Sequence, residues 1–427
     1  MSRQSVESVE VVIIGGGQAG LALSYCLTEQ GRPHIVLEQA RIAESWRSKR
    51  WDSLRLIAPN WSLRLPGFQY QGDEPDSFMS KNEVVAQLET YASSFNAPVR
   101  EGVRVSAVER DATGVRFLVQ TEAGVYCAAQ VVIATGALQR PSVPDYAPDL
   151  PAHVAQFVPY TYRNPAALPP GAVLVVGSGQ SGCQIAEELR RAGRTVYLSV
   201  SRSWGMSRRY RGQDASFWFR AVGWFSQTVD DLPPGARAGL PNPQLTGTAG
   251  GHDLTISTLA HEGVVLLGRL QDIRDGKAIF APDLAASLAW GDAQTRRYLT
   301  TIDDHIREHD LDAPEERLPN CLVPLEVSAR TAAEKLDLTE ADIGAVVWAT
   351  GYRPDLDWVR LPVLDADGYP IQRRGVTAEP GLYFLGLDWL YKRSSGLFGG
   401  MADDAVYLAS VMADQRLGTL RATATAS

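Results

Sequence analysis

Two runs of consecutive apolar residues, Val11-Val12-Ile13-Ile14 and Val173-Leu174-Val175-Val176, break off at glycine-rich turns. The turns read Gly15-Gly16-Gly17-Gln18-Ala19-Gly20 and Gly177-Ser178-Gly179-Gln180-Ser181-Gly182. Short apolar runs bounded by glycine predict buried strands, and the mixed segments after the turns predict helices that close at Gly31 and Gly193. A further strand is predicted at His34-Ile35-Val36-Leu37. Two more apolar runs, Val131-Val132-Ile133 and Val346-Val347-Trp348, end in the same turn, Ala134-Thr135-Gly136 and Ala349-Thr350-Gly351. Leu382-Tyr383-Phe384-Leu385 predicts another strand, and Met401 to Leu408 a helix.

The two glycine segments align without a gap, with Gln18 matching Gln180, Leu27 matching Leu189 and Arg32 matching Arg194. A whole strand-turn-helix-strand unit is therefore written twice. A G-x-G-x-x-G turn between strand and helix lets the backbone approach a pyrophosphate, which rests against the N–H groups at the helix start. Gly15, Gly17, Gln18, Ala19 and Gly20 form one expected cofactor loop, and Gly177, Ser178, Gly179, Gln180, Ser181 and Gly182 the other. Glu38 ends the strand of the first unit, 23 positions after Gly15. Its carboxylate suits ribose hydroxyls and repels a 2'-phosphate, so this site takes FAD or NAD rather than NADP. The equivalent position of the second unit is Val200, followed by Ser201 and Arg202. A hydroxyl and a guanidinium suit the 2'-phosphate of NADPH. The turns Ala134-Thr135-Gly136 and Ala349-Thr350-Gly351 belong where backbone passes close to a ligand at the carboxyl edge of a parallel sheet.

The order of these markers predicts an α/β fold of two Rossmann-like, three-layer dinucleotide-binding domains, the NADPH domain inserted in the FAD domain. Residues 1–165 and 325–427 are assigned to the FAD domain and 166–324 to the NADPH domain, with proline-rich stretches from Pro141 to Pro151 and from Pro159 to Pro170 as the crossing. From about 204 to 251 the pattern turns aromatic and basic, then rich in proline and glycine (Leu232-Pro233-Pro234-Gly235). This insertion either folds over the cleft as a lid or packs its aromatics into a local core.

Composition narrows the function. At 427 residues, 45% hydrophobic and 21% charged, the chain reads as globular, and a net charge of −8 argues against a nucleic-acid partner. Cys26, Cys127, Cys183 and Cys321 include no C-x-x-C, so neither a zinc site nor a redox dithiol is written, and a reducing cytoplasm fits. That also removes the electron relay of a thioredoxin-reductase-like enzyme. The first apolar stretch is too interrupted to span a bilayer. His305 and His309, one helical turn apart among alternating charges, read as a solvated face rather than a metal site.

Together these residues resemble the flavin-containing monooxygenases and the related plant auxin-forming and Baeyer-Villiger enzymes, over nearly the whole chain. The resemblance is carried by both glycine loops, Glu38, Ser45-Trp46, Trp51-Asp52-Ser53-Leu54-Arg55-Leu56, Arg202 and Ala349-Thr350-Gly351-Tyr352. It implies bound FAD, hydride from NADPH, a flavin C4a-(hydro)peroxide formed with O2, and oxygenation of a small organic substrate. Ser45, Trp46 and Val105 join the expected cofactor-binding set. So does Gly400, whose N–H at a helix start would face the flavin. Two positions depart from the family pattern. Its linker signature F-x-G-x-x-x-H-x-x-x-Y survives only as Tyr162, with Ala152, Val154 and Val158 at the other places. Where the family carries a polar residue near the flavin, this chain has Ile57, which cannot hydrogen-bond oxygen; Asn60 would substitute if the loop is shifted. Arg55, Ile57 and Asn60 are the candidate catalytic residues. An NADPH oxidase, an oxidative decarboxylase of an α-keto acid and a non-catalytic flavoprotein redox sensor stay open beside the monooxygenase.

Overall fold

The computed structural model describes residues 6–233, 241–316, 322 and 334–425. Strand β1 (Val6–Ile14) lies between parallel partners β2 (His34–Leu37) and β3 (Gly124–Ile133). Its end, Val11 to Ile14, is buried on both faces, which is why that run is continuously apolar rather than alternating. Helix α1 (Gln18–Glu29) follows the turn and packs its buried face onto this sheet, and the short helix α2 (Glu44–Ser48) comes after β2.

Strands β4 (Ala155–Phe157), β5 (Ala172–Val176), β6 (Val196–Ser199), β7 (Val265–Leu267) and β8 (Ile343–Trp348) form a second, all-parallel sheet in the order β4-β8-β5-β6-β7. Helix α3 (Gln180–Arg191) repeats α1 in length and position. Val11 pairs with His34 in the first sheet and Val173 with Val196 in the second, so the two units superpose in register. The Ala134 N–H donates to the Ile14 carbonyl at 2.8 Å, and the Ala349 N–H to the Val176 carbonyl at 2.8 Å. After the second unit, β9 (Leu382–Phe384) returns to pair with β3, and the long helix α5 (Phe398–Thr425) packs on α1.

The strand pairing of the second sheet does not stop at the expected boundaries 165/166 and 324/325. β4 and β8 both hydrogen-bond into the second sheet, so it recruits chain from Ala155 through Trp348, while residue 325 itself lies outside the described residues. The true crossing is narrower: Arg140–Pro141 pairs antiparallel with Tyr352–Arg353, so the chain leaves and re-enters the first unit at one place.

Residues of the aromatic insertion are shared between a local core and the wall of the cleft. Trp204, Trp218 and Phe219 are buried in a cluster with Leu299 and Ile302, a local core. On helix α4 (Ala215–Ala221), Ser216, Phe219 and Arg220 share the i, i+3, i+4 face and line the main cleft, as do Trp224 and Phe225. The insertion is laced to the first unit: the Val229 N–H donates to the Tyr391 carbonyl at 2.8 Å and the Arg393 N–H to the Gln227 carbonyl at 2.9 Å. Pro234, Gly235 and Cys321 lie outside the described residues.

Candidate functional site

One cleft of about 840 Å³ is lined by Gly15, Gly17, Gln18 and Ala19 of the first turn and, from the second, by Gln180 and Ser181 at the start of α3. Each turn is shaped by close backbone approach. A side chain at Gly15 would meet the Ala134 carbonyl oxygen at 2.5 Å, and one at Gly177 the Ala349 carbonyl oxygen at 2.5 Å. At Gly20 and Gly182 a Cβ would lie 1.9 Å from the carbonyl oxygen of Gly15 or Gly177, so helix and strand touch there as only glycine permits. Above Gly17 and Gly179, by contrast, nothing stands within 4 Å, which leaves the N–H ends of α1 and α3 open to an anion.

In the first cradle the Gly16 N–H donates to Glu38 Oε2 at 2.7 Å and the Ala40 N–H to Oε1 at 3.0 Å. These bonds fix the buried carboxylate at the cleft wall and leave acceptor lone pairs for ribose hydroxyls. Gln18 donates from Nε2 to the Gly396 carbonyl at 3.2 Å, while its buried Oε1 has no partner among the described residues. An orphaned acceptor at the start of α1, a fixed carboxylate and open space over Gly17 fit an FAD molecule lying along this wall. Ala19, Ser45, Trp46, Val105, Ala134, Thr135 and Gly136 line the same wall. Trp46 stacks on Phe398 at 6.0 Å, and the Arg50 guanidinium lies 5.1 Å from the Trp46 ring.

The second cradle is partly committed to its own architecture. Ser178 Oγ accepts from the Ser201 N–H at 3.0 Å and lies 2.9 Å from Ser203 Oγ, so this side chain braces the loop. The Gln180 amide brackets Leu245, donating to its carbonyl and accepting from its N–H at 3.1 Å, which lays the returning end of the insertion across the start of α3. Gln180 and Ser181 line the cleft. Arg202 stands exposed beside Ser201, outside the cleft lining, and makes no hydrogen bond or ion pair among the described residues. Thr350 donates to the Ser142 carbonyl and the Gly351 carbonyl accepts from the Ser142 N–H at 2.9 Å, so the second Ala-Thr-Gly turn holds the crossing and does not line the cleft.

Asn60 and Gly400 also fall outside the cleft lining. Asn60 is buried away from the cleft, its Nδ2 donating to the Glu74 carbonyl at 2.9 Å and its N–H to the Ser77 carbonyl at 2.9 Å, so it does not substitute for a polar residue at 57. Gly400 is packed behind the wall, where a Cβ would meet the Ser394 carbonyl oxygen at 2.3 Å; Gly396 and Gly399 line the cleft in its stead. Ile57 does line the cleft, with its side chain against the aromatic cluster. Its carbonyl accepts from Nη1 of Arg208 at 2.7 Å, a buried arginine that also pairs with Asp214. Arg55 reaches the cleft and donates to the Phe78 carbonyl at 2.6 Å. The surviving linker tyrosine, Tyr162, is fully buried and donates to Glu188 on α3 at 2.6 Å. His305 and His309 sit at the end of the helix Leu284–Glu308 with their rings 4.1 Å apart.

Behind the second cradle, His252 Nε2 lies 2.5 Å from Glu187 Oε1 and its Nδ1 3.2 Å from the Thr248 carbonyl, with Arg191 beside both and paired to Glu262. The Glu187 carboxylate holds the imidazole above its ordinary range, against burial and the repulsion of Arg191. A folded-state value above the unfolded one, about 6.5, gives stability that is complete below that pH and is lost as pH rises through the folded value. The thermal midpoint of the protein should therefore fall further between pH 6 and 8 than that of Glu187→Gln; parallel profiles would contradict the assignment.

Residues 12–222 match the family model described as pyridine nucleotide-disulphide oxidoreductase. The CzcO-like oxidoreductase of Geobacillus kaustophilus is 33% identical over 403 residues, covering 94% of this chain and 97% of its own. A probable indole-3-pyruvate monooxygenase of Arabidopsis thaliana is 33% identical over 201 residues, 44% of this chain and 46% of its own. Among solved structures, a flavin-containing monooxygenase from Stenotrophomonas maltophilia matches 96% of this chain and 99% of its own with a TM-score of 0.63 at 21% identity.

Proposed function

Because this chain belongs to the flavin-containing monooxygenase family of oxidoreductases, we propose that it is an FAD-dependent, NADPH-consuming monooxygenase acting on a small organic substrate with O2. The observation that carries this reading is that the first glycine turn and the start of α3 line one cleft, so a nicotinamide entering from α3 would reach a flavin held at α1. Glu38 and the Gly15–Gly20 turn hold the adenosine and pyrophosphate of FAD. Arg202, Ser201 and the Gly177–Gly182 turn hold NADPH. The flavin, when bound, supplies hydride acceptance and oxygen activation; the chain supplies position, exclusion of water and charge.

The substrate end of the cleft is walled by Leu56, Ile57, Phe219, Trp224, Phe225 and Leu245, which shed water from the reacting region. Among the described residues no helix is long and apolar enough to cross a membrane; what supports our placing the protein in a reducing cytoplasm is its four cysteines without a C-x-x-C. Ile57 favours one second reading, an NADPH oxidase, because an apolar residue there gives reduced oxygen no hydrogen bond. The two readings part on product: oxygenated substrate, or hydrogen peroxide equal to the NADPH consumed.

Arg202 tests the nicotinamide assignment. Loss of a hydrogen bond to a charged group costs about 1.5–3 kcal/mol, so Arg202→Ala should raise KM for NADPH roughly ten- to hundredfold while leaving NADH within about twofold. Equal losses for the two nucleotides in steady-state kinetics would remove Arg202 from the site.

A further inference from the structure

Asp388 follows β9 in an irregular loop that no sequence pattern marks. It lines the cleft and is open to it, yet it makes no hydrogen bond or ion pair among the described residues. Its Oδ1 stands against Gly396, where a Cβ would come within 2.2 Å, and Gly396 in turn accepts from Gln18 at the start of α1. On the other side, Trp389 and Trp224 of the insertion flank the Arg393 guanidinium at 4.5 and 4.1 Å. Asp388 thus stands, through Gly396, beside Gln18 of the first turn, and precedes a tryptophan that shares the Arg393 guanidinium with Trp224 of the insertion. On the monooxygenase reading the carboxyl would occupy the half of the cleft between the first turn and the aromatic wall.

We propose that the Asp388 carboxyl is the proton donor of this half of the cleft. The inference rests on the monooxygenase reading and adds a residue to it. For a substrate S the balance is S + O2 + NADPH + H+ giving SO, NADP+ and H2O. The O–O bond breaks, and one oxygen forms a bond to the substrate. The other leaves as water, carrying the hydride hydrogen of NADPH and one proton; two electrons come from NADPH and two from S. Position 57, where the family holds a polar group, contributes an aliphatic side chain, so the proton needs another holder. Asp388 delivers it and is recharged from solvent through the cleft mouth.

The surroundings suit a carboxyl that keeps its proton. α1 opens with uncharged Gln18 and Ala19, Lys392 is paired with Asp403 at 2.8 Å, and Arg393 is turned onto its two tryptophans. Although the residue is exposed on its cleft side, the protein packed around the carboxyl strips it of water, and with no compensating cation this raises the group above the ordinary carboxylate range.

The test uses the FAD-loaded protein, Asp388→Asn and Asp388→Glu. FAD affinity is read by fluorescence, the bound-flavin absorbance is titrated from pH 5 to 9, and reoxidation of the NADPH-reduced protein by O2 is followed across the same range. Asp388→Asn should bind FAD and accept hydride within about twofold of the parent, slow reoxidation at least tenfold, and lose the pH inflection in both rate and spectrum; Asp388→Glu should retain an inflection. An unchanged inflection in Asp388→Asn overturns the proposal, and so does loss of FAD binding, which would make Asp388 a cofactor anchor. Failure of the parent protein itself to take up FAD or oxidise NADPH would instead strike the monooxygenase reading.

Discussion

Gly20→Val is expected to yield a protein that folds but purifies without flavin, whereas Gly182→Val purifies yellow and is not reduced by NADPH. At both positions a Cβ would sit 1.9 Å from the carbonyl oxygen of the loop's first glycine, and in the first unit also 3.3 Å from Ile13 Cγ2. The helix must back away from the strand, and the N–H groups at its start then no longer converge on a phosphate. Overpacking of this kind costs about 1–3 kcal/mol, so affinity for the matching dinucleotide should drop roughly five- to hundredfold. Because the steric insult is the same in the two variants, a common folding defect cancels in the comparison. Flavin-to-protein ratio and anaerobic reduction by NADPH are the measurements. Normal flavin content in Gly20→Val would mean that the first turn is not the FAD cradle.

Arg208→Ala should be the most destabilising single change at the join of the two units. Nε of Arg208 donates to Asp214 Oδ2 at 2.7 Å, Nη1 donates to the Ile57 carbonyl at 2.7 Å, and the guanidinium lies 4.6 Å from the Phe78 ring. Asp214 also caps α4 by accepting from the Ser216 N–H at 2.7 Å. Truncation strands a carboxylate and a carbonyl beneath the insertion, a loss of about 3–5 kcal/mol. Arg208→Met combined with Asp214→Asn should recover part of it, since the stranded charge is gone. Denaturant titration decides: a midpoint within experimental scatter of the parent in Arg208→Ala would show the pair to be dispensable.

The parts of this site that were legible in the chain are those where backbone geometry demands a residue type. Gly15, Gly20, Gly177 and Gly182 announce themselves because a Cβ cannot fit, and Glu38 because it closes the strand beside the first turn, where its carboxylate accepts from the Gly16 N–H. Sheet membership was less legible. β4 is only three residues long, and β8 begins at Ile343 although its partner β5 has already ended at Val176, so nothing local says that both join the second sheet. Facing in the loop after Trp51 was illegible for a different reason: the backbone carbonyls of Glu74 and Ser77, remote in sequence, capture Asn60 and turn it inward. Asp388 and Arg208 carry no periodicity or motif, and their importance arises only from what the fold brings beside them.

The splice of one unit into the other dictates an order of assembly on the ribosome. Every strand of the second sheet has been synthesised once Trp348 emerges, whereas the first sheet still lacks β9 and the α5 helix that covers α1. The inner unit can thus consolidate while the outer one waits open-edged for its closing strand and helix, on the general pattern of domains folding as units during translation. Capture of the flavin is consequently a late event, belonging to the finished polypeptide and not to its nascent amino-terminal half.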